Sequence, residues 1–66
     1  MKTYDVQFND ANDSNCKGFE MTIEEAKDYI AINNGTNNSY FADYKGGTVS
    51  VVCLQDGETV FEEAVR

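Results

Sequence analysis

The chain has 66 residues, with twelve Asp and Glu against five Lys and Arg, no His, and a formal charge of −7. That length supports one domain with a thin core, since a chain near this size buries only about 60% of the surface its unfolded form exposes. The charge repels phosphate backbones and anionic lipid, which argues against direct nucleic-acid binding and membrane docking. Without His, Cys–His and Ser–His nucleophile activation and mixed Cys/His zinc sites are excluded.

Apolar residues make up 41% of the chain, and there is no Pro and no long biased run. This composition belongs to a folded domain rather than a disordered one. Met1 and Lys2 lead straight into alternating polar and apolar residues, with no apolar run of the kind a secretion signal or membrane span needs. A cytoplasmic protein is expected, with Cys16 and Cys53 as free thiols.

In chain order, Tyr4, Val6 and Phe8 alternate with Asp5 and Gln7, the period-2 signature of a strand with one buried face. Asn9 to Asn15 is almost wholly turn-forming and reads as a loop. Lys17 to Met21 places Phe19 and Met21 on one side, enough for a short strand pairing back on the first. Thr22-Ile23-Glu24-Glu25 is a capping box and opens a helix from Ile23 to about Asn34, with Ile23, Ala26 and Ile30 on its apolar stripe and Gly35 as its stop.

The last third reads as a three-stranded meander turned at Gly46-Gly47 and Asp56-Gly57. A tight first turn would pair Tyr44 with Val49, Ala42 with Val51 and Phe41 with Val52. A bulged second turn would set Phe61 opposite Val51, Glu62 opposite Ser50 and Val60 opposite Val52. The expected fold is α+β: a single domain with an antiparallel sheet of four to five strands and one α-helix on one face, in the order β-β-α-β-β-β.

Chemistry-bearing patterns are sparse. Glu24-Glu25 and Glu62-Glu63 are sequence neighbours, and neighbours on a helix or strand diverge rather than converge on a substrate. Asp10, Asn12 and Ser14 follow the first three ligand positions of a calcium loop, but Asn15 stands where the loop needs Gly and Met21 where it needs Glu. No cofactor, metal or catalytic residue is assigned, and no enzyme is expected.

One surface does stand out. The meander registers turn Phe41, Val52 and Val60 into an apolar row on the face away from the helix, extended by Leu54 and framed by Asp43, Glu58 and Glu62. An apolar centre with a charged rim is the pattern of an interface. The sequence therefore points to a non-catalytic protein-interaction module, binding itself or another protein through this face. The alternative is an acidic inhibitor or DNA mimic docking on a basic protein. On this reading Phe41→Ser or Val52→Lys abolishes association while leaving the monomer stable.

Overall fold

Alternation holds in β1 (Tyr4–Asn9), which sends Val6 and Phe8 into the core with no exposed surface. The computed structural model describes all 66 residues. After β1 the Asp10 carboxylate closes a tight turn, accepting from the amides of Asn12 and Asp13 at 2.8 Å each. The chain then returns as β2 (Ser14–Cys16), antiparallel to β1. The second strand thus comes earlier than the Lys17–Met21 segment expected from sequence; Met21 makes only an isolated bridge to Tyr4. The turn needs fewer residues than a polar run of seven suggests, because Asp10 supplies the acceptor the backbone lacks.

The helix α1 (Ile23–Asn33) begins at the capping box. The Glu25 amide donates to Thr22 Oγ1 at 3.1 Å and the Thr22 amide to Glu25 Oε1 at 2.9 Å. Ala26 and Ile30, four apart, are the buried pair that seats the helix on the sheet. Gly35, at φ 91°, takes the left-handed conformation that ends it.

The departure from the sequence reading lies at residues 40 to 47. The expected strand there is a single helical turn, α2 (Tyr40–Asp43), so the element order is β-β-α-α-β-β rather than β-β-α-β-β-β. Helical curvature brings Phe41 and Tyr44, three apart, to the same side, and both are buried. Phe41 meets Phe8 edge-to-face, with ring centroids 4.8 Å apart and planes at 87°. Tyr40 and Tyr44 flank the same ring at 5.5 and 5.7 Å. An extended strand would have placed Phe41 and Tyr44 on opposite faces.

Gly46-Gly47 is correspondingly not a hairpin turn. Gly46 has φ 91°, and a Cβ on Gly47 would sit 2.2 Å from the Asn9 carbonyl oxygen, so the second glycine exists for close backbone approach. The Gly47 amide donates to the Tyr44 carbonyl, closing α2, while its own carbonyl accepts from the Val65 amide.

The final hairpin is formed by β3 (Thr48–Cys53) and β4 (Thr59–Ala64), and it follows the expected register in part. Val51 faces Phe61 and Ser50 faces Glu62. Val52, however, faces Thr59, and Val60 becomes the extra residue of a bulge. Four strands form one antiparallel sheet in the order β2-β1-β3-β4, with α1 packed on one face. The α+β class holds: β1 occupies the place beside β3 that the sequence reading gave to residues 41 to 45.

Two stabilities follow. Phe41→Ala should cost about 3–5 kcal/mol in denaturant unfolding, because it empties the centre of the aromatic cluster; a cost under about 1 kcal/mol would mean that the ring is not core. Thr22→Ala should cost about 1 kcal/mol through the lost cap, and a neutral result would place the helix start elsewhere.

Candidate functional site

The seven residues expected to form an interface do not stay together. Phe41 has no exposed surface and is a core residue, so the row Phe41–Val52–Val60 does not exist. Asp43 ends α2, in the layer that packs against Phe8, and is not a rim residue of the open sheet face. Val52 lies on β3 between Asp5 and Thr59 and is only half-buried. Leu54, in the β3–β4 turn, is 47% exposed, and Val60, in the bulge, is 39% exposed. Glu58 and Glu62 are exposed at the same hairpin, and Glu62 accepts from the Ser50 hydroxyl at 3.2 Å. What survives of the expected surface is therefore the hairpin itself.

The open face is closed at its other end by a group the sequence reading missed. Asp5, 5% exposed, accepts from the amides of Val6 and Phe19 through Oδ1 at 2.7 and 2.8 Å, and from Gly18 through Oδ2 at 3.1 Å. The carboxylate holds Gly18 and Phe19 against β1, with each backbone donor satisfied. An Asp inside an alternating strand, where it is disfavoured, is the only trace of this role in the sequence.

Polar side chains elsewhere act as latches. Asn34 donates to Glu63 and to the Ala64 carbonyl, at 2.9 Å for the latter, and accepts from the Arg66 amide, tying the end of α1 to the end of β4. Lys17 reaches Ser39 Oγ at 2.7 Å and lies 5.1 Å from the centre of the Tyr40 ring. Lys27 stands 5.1 Å over Phe61. Two of the five cations are thus held over the protein's own aromatic rings.

The carboxylates remain largely uncompensated. One ion pair is formed, Lys2 Nζ to Asp56 at 3.4 Å, on open surface. The Glu58 amide is the strongest influence holding the Asp56 carboxyl below its usual range, with Lys2 adding to it. The same pair raises Lys2. No group of three or more Cys, Asp or Glu side chains is placed to hold a metal ion, and no cavity opens in the surface. No helix is long and apolar enough to cross a membrane. Comparison with known families, curated proteins and solved structures gave no match to this chain.

Both cysteines are free, and they occupy opposite faces of the sheet: Cys16 pairs with Gln7, and Cys53 with Tyr4, three residues away on the same strand. Partial burial of its sulfur, then the Asp5 carboxylate, push the Cys16 thiol up, which keeps it protonated and weakly nucleophilic. Thermal unfolding should therefore be unchanged by a reducing agent. A large fall in Tm on reduction would require a bridge that this fold cannot make within one chain.

Proposed function

We propose that the chain is a non-catalytic, cytoplasmic protein-binding module whose partner presents a basic surface. The observation that carries this reading is the unneutralised charge: twelve carboxylates share one ion pair, while Lys17 and Lys27 lie over aromatic rings of the chain itself. Charge of this density on so small a surface accelerates encounter with cationic partners and discriminates against anionic ones. Self-association through an apolar face loses its support with the burial of Phe41. An acidic inhibitor that occupies the DNA-binding surface of another protein is the narrower form of the same reading, in which the carboxylates stand in for phosphates.

Charge-led docking has a characteristic salt response. Raising salt from about 0.1 M to about 1 M shortens the screening length from about 10 Å to about 3 Å. A basic protein retained on the immobilised chain at the lower salt should be released at the higher, and should not be retained by an unrelated protein of equal charge. Retention that survives the higher salt would point to apolar docking, and retention no better than the charge-matched control would remove the proposal.

A further inference from the structure

The proposed function leaves open where and how a basic partner docks, and the sheet offers one long unpaired edge. In the order β2-β1-β3-β4, the two outer strands are β2, with three residues, and β4, with six. β4 pairs with β3 on one side and with nothing on the other. Backbone hydrogen bonds outside the ladder touch only its ends: the Glu58 carbonyl accepts from Cys53 before it, and the Val65 amide donates to Gly47 after it. The Ala64 carbonyl is met by the Asn34 side chain. Between these limits, alternate N–H and C=O groups of Thr59 to Glu63 point away from β3 with no partner from the chain. Such an edge is a template for another strand.

Charge decides which strand it accepts. Residues 58 to 64 contain Glu58, Glu62 and Glu63 and no cation, and Glu58 and Glu62 are exposed. A second copy pairing antiparallel at this edge would bring carboxylate rows within cross-strand distance of one another, where like charges destabilise, with −7 on each chain adding to the repulsion. The same carboxylates favour a strand carrying Lys or Arg. Lys27, over Phe61 on the helix side, leaves the hairpin end and the Glu62 face as the anionic portion. The bulge at Val60 distorts the ladder locally, so the regular pairing surface runs from Phe61 toward Glu63.

We propose that β4 is a docking edge that takes an extended segment of a basic partner as a fifth strand, its Lys or Arg side chains meeting Glu58 and Glu62. This rests on the reading that the partner is basic, and adds the site and the backbone mode. The test uses the whole chain, labelled for amide detection by NMR, and two synthetic probes: a peptide alternating lysine with threonine, long enough to span β4, and its counterpart with every backbone nitrogen methylated. The two carry the same charge and side chains, but the second has no backbone N–H to give to a ladder in either register.

The unmodified peptide should bind at least about tenfold more tightly and slow hydrogen exchange at the outward-facing amides between Phe61 and Glu63, since each backbone bond gained is worth a severalfold change in affinity. Glu58→Lys with Glu62→Lys should weaken it by a further tenfold or so at unchanged amide spectra elsewhere, whereas Asp43→Lys, on the other layer, should have a small effect. Equal binding of both peptides without protection in β4 would overturn the edge while leaving the charge reading intact. Protection appearing at β2 instead would also overturn it, and binding of neither peptide would remove both.

Discussion

The fold turns on one aromatic contact, the edge-to-face packing of Phe41 against Phe8. Phe8 is the last inward side chain of β1 and stands opposite Val49 on β3, so its ring marks the point where the sheet and the covering layer must be sealed. A chain of 66 residues has few large side chains with which to do this. Curling residues 40 to 43 into a helical turn brings Phe41 onto that ring, and Tyr40 and Tyr44 beside it, while α1 supplies Ala26, Ile30 and, at 5.8 Å from Phe41, Tyr29. Aromatic pairs in this geometry contribute about 0.5–1.5 kcal/mol beyond their burial. Once residues 40 to 43 are used in this way they are unavailable as a strand, β1 takes the place beside β3, and β4 is left as the outer strand.

Polar groups fix this arrangement where apolar area is short. Asp5 holds Gly18 and Phe19 to the sheet, Asn34 joins the end of α1 to the end of β4, and the Tyr44 hydroxyl accepts from Asn15 at 2.8 Å and donates to Asp13 at 3.1 Å, anchoring α2 to the first turn. No buried side-chain nitrogen or oxygen lacks a partner. Satisfied buried polar groups stabilise modestly but punish alternatives heavily, because any rearrangement strands a donor or acceptor away from water.

Much of this was legible in the sequence, and the exceptions share a cause. β1 and α1 carry unambiguous periods, and the capping box at Thr22 and Glu25 is a local device that needs no tertiary partner. The α+β class follows from them. Residues 40 to 45 were ambiguous because Tyr40, Phe41 and Tyr44 fit helical spacing as well as a half-buried strand, and only the position of Phe8 decides between the two. Gly46-Gly47 reads as a hairpin turn, yet Gly47 answers to the Asn9 carbonyl, some forty residues earlier in the chain. The candidate surface inherited both errors: Phe41 and Asp43 belong to the helical layer, while Val52, Leu54, Val60, Glu58 and Glu62 do share one hairpin, whose expected register held at Phe61 and Glu62 and failed at Val60, the bulge residue.

An interior that consumes most of the large apolar side chains leaves charge and backbone as the means of recognition in the function proposed above. In that proposal the acidic surplus and the open edge of β4 belong together, since carboxylates beside an edge would discourage pairing between copies and favour cationic strands. All of this depends on residues 40 to 44 being a helical plug and not a strand. Proton NMR of the unmodified chain tests it directly through distance-dependent cross-peaks among the aromatic rings. Strong contacts between the Phe41 and Phe8 rings, with backbone contacts joining Val6 to Val51, are the expected result; backbone contacts joining Phe41 to Val52 would restore the three-stranded meander and contradict the account.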